Sequence, residues 1–226
     1  MRERSRGSYP CKPTAGNFRG RSRLRTVVRP TLTERRAEEL RLMLAQTASD
    51  IFVADGDTSA TVERIADAAG VSPRTFYRHF PVKEDVVRPL FRRSSAEVIA
   101  HLRAAPADSD VLETLVSAWT SQLHEGSLTD LERRFLRLMS TTPQYRLRWM
   151  EVDDELCDAV AEFLHQRIAL GDHPLYRSLP AYLVVQATRR VFDYSVSSDS
   201  GEDIADLLRD ALRSVLAGVS AQASGS

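Results

Sequence analysis

From Thr61 to Phe80 the chain reads TVERIADAAGVSPRTFYRHF, and its apolar spacing, single glycine and Ser-Pro pair predict two short helices meeting at a tight turn. Thr61 is a natural N-cap, because its hydroxyl can accept from a free N–H of the first turn. Val62, Ile65, Ala66 and Ala69 then fall on one helical face. The two alanines leave room for a second helix to cross closely. Gly70 stands where the chain needs the left-handed region to leave the first helix, and Val71 can plug the turn. Ser72 and Pro73 start the next helix, since serine caps it and proline at the first position sacrifices no internal hydrogen bond. Within PRTFYRHF, Phe76 and Phe80 lie one helical turn apart and face inward. Arg74, Thr75, Tyr77, Arg78 and His79 are left on the outer surface.

That outer set has the chemistry of a DNA reader. Arg74 or Arg78 can donate two hydrogen bonds to a guanine edge, and Thr75, Tyr77 and Lys83 suit phosphate oxygens. Singly these residues prove little, since an exposed arginine is usually solvated and a tyrosine on a short helix usually packs; their joint pattern is the signal. The stretch resembles the TetR family of bacterial regulators, whose N-terminal signature runs T-V-x-x-I-A-x-x-A-G-V-S-x-x-T-x-Y-x-x-F-x-x-K, and every defined position from Thr61 to Lys83 matches. The resemblance extends over residues 33 to 93. It implies phosphate contacts from Thr61, Thr75, Tyr77 and Lys83 and base contacts around Ser72, Pro73, Arg74 and Arg78, with His79 beside them. Two positions depart from the pattern. Val82 stands where the family has a small polar cap, and Pro89 falls inside the expected helix KEDVVRPLFRR, where it removes a hydrogen bond and favours a kink.

The net charge of zero conceals a strong polarity along the chain. Residues 1–30 carry nine Arg or Lys against one Glu, residues 31–93 are balanced, and residues 94–226 carry twelve basic against twenty acidic side chains. A basic front and an acidic body suit a polyanion-binding end and a remainder that stays off DNA. Residues 1–30 read as a flexible basic arm, a tether for phosphates or a minor groove or simply a disordered extension. Residues 31–93 read as the helix-turn-helix domain, opened by a capping box at Thr31 and Glu34. Residues 94–226 read as a helical regulatory and dimerisation domain. No strand alternation appears, so the expected class is all-α: a three-helix DNA-binding unit followed by a helical bundle. Cys11 and Cys157 are far apart and unpaired in pattern, which with the absence of a long apolar run predicts a protein of the bacterial cytoplasm without a membrane segment.

Helices are expected over 109–124, 128–140, 144–170, 180–196 and 202–218. Trp119, Phe135, Met139, Trp149 and Phe163 are candidate liners of an apolar ligand pocket, although aromatics at helical spacing belong to cores more often. The segment TTPQYRLRW resembles regulators that sense fatty-acyl coenzyme A thioesters, with Arg146 or Arg148 able to meet phosphates. Glu151, Asp154, Glu155, Asp158 and Glu162 share one helical face, for which solvation is a plainer account than a divalent cation. No metal and no cofactor are expected. The last two helices carry apolar stripes that, by the resemblance, pair with their copies in a homodimer bound to palindromic half-sites of an operator.

The leading expectation is therefore a sequence-specific transcription regulator, a repressor released by a small apolar or amphipathic effector. Two alternatives stand beside it: a helical-bundle enzyme, for which no nucleophile elbow, phosphate loop, dinucleotide fingerprint or HExxH motif speaks, and a non-specific nucleoid binder acting through the basic arm.

Overall fold

In a computed structural model, which describes residues 31–170, 173–198 and 201–223, the first helix begins at the capping box. Thr31 Oγ1 accepts from the Glu34 backbone N–H (3.2 Å), and the Glu34 carboxylate accepts from the Thr31 N–H (2.7 Å), which holds that carboxyl below its ordinary range. Helix α1 (Leu32–Asp55) ends at Gly56, whose φ of 75° lets its N–H return to the Phe52 carbonyl at 2.9 Å. Helices α2 (Val62–Ala68) and α3 (Pro73–His79) follow at the expected places. Gly70 takes the left-handed conformation (φ 68°), and the Val71 N–H closes the turn on the Ala66 carbonyl at 2.9 Å.

The helix expected over KEDVVRPLFRR does not form as one piece. Lys83–Val87 is a 3-10 turn, entered from Val82 without a side-chain cap, and α4 (Arg88–Ala104) begins afresh with Pro89 in its first turn. A missing N–H costs nothing there, so Pro89 opens the connecting helix and does not kink it.

Among the described residues, five further helices complete the bundle: α5 (Val111–Thr120), α6 (Asp130–Thr141), α7 (Pro143–His165), α8 (Pro174–Ser197) and α9 (Ile204–Ala223). There is no strand among the described residues. The segment expected to be helical to residue 124 stops at Thr120, because His124 and Ser127 exchange backbone hydrogen bonds across a turn (3.0 Å each). Helix α8 begins at Pro174, not near Pro180. The latter is buried inside the helix, and the carbonyl it cannot serve belongs to the exposed Tyr176, within reach of water.

The helices bury two apolar clusters. One joins Leu44, Phe52, Ile65, Phe76, Val86 and Phe91 to Phe135, Met139, Tyr145 and Val152 of α6 and α7. The other lies between α4, α5, α7, α8 and α9, around Leu115, Leu156, Val184, Leu208 and Leu212. A division at residue 93 thus separates the chain in sequence but not in packing. Helices α2 and α3 pack on α1 and on each other, and the body closes the cluster from the far side of α1, where Tyr145 meets Phe52.

Tyr145 is an expensive member of that shared core. Its ring meets Phe52 edge-on at 5.5 Å, yet its buried hydroxyl has no hydrogen-bond partner among the described residues. Burial drives the phenol's pKa well above its usual value. Replacing Tyr145 by Phe removes an unsatisfied group and keeps the ring, so it should stabilise the fold by about 1 kcal/mol and raise the thermal midpoint by roughly 2–4 °C in a melting scan.

Candidate DNA interface and ligand cavity

Ser72 caps α3 through a hydrogen bond from the Thr75 N–H (3.1 Å), and the two hydroxyls lie 3.0 Å apart. Thr61 caps α2 by accepting from the Arg64 N–H at 3.3 Å. The candidate phosphate-binding hydroxyls of Thr61 and Thr75 therefore also hold the motif in shape. Phe76 and Phe80 point inward with their rings 5.4 Å apart, and Phe76 is fully buried. Their burial turns Arg74, Tyr77 and Arg78 outward. All three are exposed, and neither arginine has a carboxylate partner among the described residues. Elsewhere the arginines are mostly engaged; Arg64, for instance, is bound by both carboxylate oxygens of Asp55. Unpaired cations on an exposed helix face keep their hydrogen-bonding capacity for something outside the chain.

Lys83 has a role the sequence did not reveal. Its ammonium donates to the Thr58 carbonyl at 2.9 Å and the Ala60 carbonyl at 3.2 Å, fastening the loop before α2 to the turn after α3. One of its three N–H donors remains for a phosphate. His79 is half-buried, and its pKa is lowered by burial and by the nearby Arg41 and Arg78, so the neutral imidazole prevails at pH 7. The basic arm of residues 1–30 lies outside the described residues.

Behind this head, a cavity of about 320 Å³ opens among α4, α5, α6, α7 and α8. Of the five candidate liners, Trp119, Phe135 and Trp149 reach it. Met139 is fully buried in the shared core, and Phe163 packs in the second core with the Arg167 guanidinium 4.1 Å from its ring centroid. Helical spacing identifies inward-facing positions but not which of them border a void.

The cavity also contains residues absent from the sequence expectation. Phe91 stacks on Trp149 (5.2 Å, 7°) and leans on Phe135 (5.9 Å). Arg189 and Asp153, 4% and 7% exposed, form an ion pair on its wall. Asp153 carried a readable signal: it stands four residues after Trp149 and three before Leu156, on the apolar side of α7 and off the acidic stripe. That stripe is itself divided. Glu151 pairs with Arg88 (3.2 Å) and Arg148 (3.0 Å), and Glu155 with Arg92 (2.6 Å). Arg148 also pairs with Asp85 at 2.8 Å, so its charge serves the joint between head and body.

Two short capped helices crossing at a tight turn, with unpaired arginines on the outer face of the second, define a protein of the helix-turn-helix class. Comparison with known proteins gives the family. Residues 44–90 match the family described as bacterial regulatory proteins, tetR family, and residues 109–220 match the MftR C-terminal domain. The regulator TcmR of Streptomyces glaucescens is 30% identical over 169 residues, covering 72% of this chain and 75% of that protein. The repressor AcnR of Corynebacterium diphtheriae is 26% identical over 192 residues, covering 82% and 97%. Among solved structures, Thermus thermophilus FadR in complex with lauroyl-CoA superposes with a TM-score of 0.58 at 25% identity, over 79% of this chain and 94% of that one. This chain belongs to the TetR family and is a DNA-binding transcriptional regulator.

The two kinds of contact separate experimentally. Arg74→Ala should lower the preference for operator over competitor DNA by about 1–3 kcal/mol in a fluorescence-anisotropy competition and leave the melting temperature unchanged. Lys83→Met should weaken binding to all sequences alike and also destabilise the fold by about 1–2 kcal/mol, because two carbonyls lose their donor.

Proposed function

We propose that this protein is a homodimeric repressor that holds palindromic operator DNA through α3 of each protomer and is released by a small apolar or amphipathic effector in the cavity. The observation that carries the reading is Phe91: it belongs to the core of the DNA-binding head and at the same time forms part of the cavity wall. A guest that displaces Phe91 or its partner Trp149 acts on the head directly, and differential affinity for two arrangements is all that a population shift requires. Repression is supported by the relationship to AcnR, a transcriptional repressor, and an amphipathic effector by the lauroyl-CoA bound to Thermus FadR.

Dimerisation is supported by the outer face of α8. Leu175, Tyr176, Tyr182, Leu183 and Tyr194 are all exposed there, whereas Ile204, Leu208 and Leu212 of α9 are spent on the monomer core. An apolar face of this extent on one helix suits a second copy, and a two-fold axis through it sets the distance between recognition helices.

Titrating the protein against the DNA flanking its own gene should show a preference over competitor at low salt; equal binding to both sinks the reading. Leu183→Glu places a charge in the dimer face and should give a folded monomer by light scattering with at least tenfold weaker binding to a two-half-site operator.

Ser94→Trp tests the cavity. Ser94 is exposed at the mouth, where its hydroxyl donates to Gln122 Oε1 and its carbonyl accepts from Gln122 Nε2 at 3.1 Å; an indole there gives up one exposed side-chain hydrogen bond and should block entry without disturbing the core. The variant should bind operator normally and no longer release it for lauroyl-CoA or any other amphiphile that releases the wild type. Release that persists in the variant places the effector elsewhere.

A further inference from the structure

The polar feature of the cavity is unusual for an apolar guest. Arg189 donates from Nε to Asp153 Oδ2 at 2.8 Å, and its Nη2 donates to the same oxygen. Among the described residues, nothing else accepts from this guanidinium and nothing donates to Asp153 Oδ1. The pair is thus half satisfied. Its unused donor and acceptor sit beside Trp149, over whose ring the guanidinium lies at 5.0 Å, and near Phe91, Leu156 and Phe192, with Ser49 and Thr188 as the other buried polar residues of the lining.

A neutral apolar guest would seal those unused groups away from water at a cost. A carboxylate would instead offer two acceptors to the planar fork of the guanidinium, the geometry in which arginine binds most strongly. The ring-lined walls and the volume of about 320 Å³ favour a flat body of one or two fused rings over a long flexible chain.

We propose that the effector of this cavity is an aromatic carboxylate, whose carboxyl group takes the Arg189 guanidinium from Asp153 while its ring lies against Phe91 and Trp149. The inference rests on the reading of the cavity as the effector site. The exchange balances if Asp153, once released, takes a proton from solvent. The wall then holds one cation and one anion before and after, and the new carboxylic acid can donate its O–H to the bound carboxylate. Asp153 is prepared for this: burial pushes its carboxyl up to about 7 against the pull of Arg189, with Asp154 and Asp193 adding to the rise. The other charged residues on the cavity walls, Arg93 and Glu97 on α4 and Glu132 on α6, are exposed at the surface.

Calorimetric titration of the full-length protein with 2-naphthoate and with 2-naphthamide, which differs in the head group alone, tests the proposal. The acid should bind at least about tenfold more tightly than the amide. Its affinity should be level below pH 7, with no proton exchanged, and fall as pH rises further, approaching tenfold per unit and one proton taken up per ligand above pH 7, as read from buffers of different ionisation enthalpy. Asp153→Asn imitates the protonated state and keeps a partner for Arg189, so it should bind the acid more tightly than wild type does and with no pH dependence. Arg189→Met should abolish the preference for acid over amide; if it fails to fold, the Asp153→Asn comparison still decides. Equal affinity for acid and amide, or a flat pH profile in the wild type, overturns the proposal. Binding and operator release by lauroyl-CoA with no binding of the acid also overturns it and leaves the effector reading standing. Failure of all three compounds to bind removes both.

Discussion

The arrangement depends above all on aromatic packing between the reading head and the body. Phe52 of α1 meets Tyr145 of α7, while Phe91 of α4 is held between Phe135 of α6 and Trp149 of α7. Aromatic side chains bury more area than any others and prefer particular ring geometries, so such a cluster resists small adjustments and passes from one packing to another more readily than it deforms. The head therefore shares its core with α6 and α7 of the body. Phe91 and Phe135 belong both to that core and to the cavity wall, so the reading surface and the cavity are joined through one packed cluster.

A second tie runs along the outside of the same joint. Asp85, in the 3-10 turn after α3, pairs with Arg148, and Arg88 and Arg92 reach across to Glu151 and Glu155. Isolated surface pairs contribute little, but these groups are linked and mostly half-covered, and they act between elements distant in sequence. Helix α7 thus carries the cavity on one side, through Trp149 and Asp153, and the ionic tie to the head on another, through Arg148, Glu151 and Glu155. A rotation of α7 that makes room for a guest changes both at once, and no separate relay is needed.

Much of this was legible in the sequence where the signal is local. The two helices of the motif, their caps at Thr61 and Ser72, the left-handed Gly70 and the inward phenylalanines follow from residue types at fixed spacing, and the exposure of Arg74 and Arg78 follows from the burial of Phe76 and Phe80. The all-α class was equally plain. Signals that depend on distant partners were not. Lys83 looks like any exposed cation until the Thr58 and Ala60 carbonyls are seen beside it. Pro89 breaks a helix only if the helix already runs through it, and the 3-10 turn over Lys83–Val87 decides that it does not. Met139 and Phe163 share the periodicity of Trp119 and Trp149, yet only the latter two border a void, since periodicity gives direction and not the packing of the opposite wall.

The Arg189–Asp153 pair illustrates the difference between a group that stabilises and one that serves a site. A buried ion pair recovers its desolvation cost only when its remaining donors and acceptors are also met, and an apolar pair of similar volume is often as stable or more so. Here two donors converge on one carboxylate oxygen and the other oxygen is left open. Burial raises the carboxyl's pKa despite the neighbouring guanidinium, which is what an incompletely compensated charge does. Had the pair been fitted for stability alone, Asp153 Oδ1 would have a donor and the carboxyl would be pulled down, as the better-served Glu155 is by Arg92. The open oxygen and the unused guanidinium donor lie at the cavity wall, where a guest carboxylate can take over the guanidinium and leave Asp153 to accept a proton.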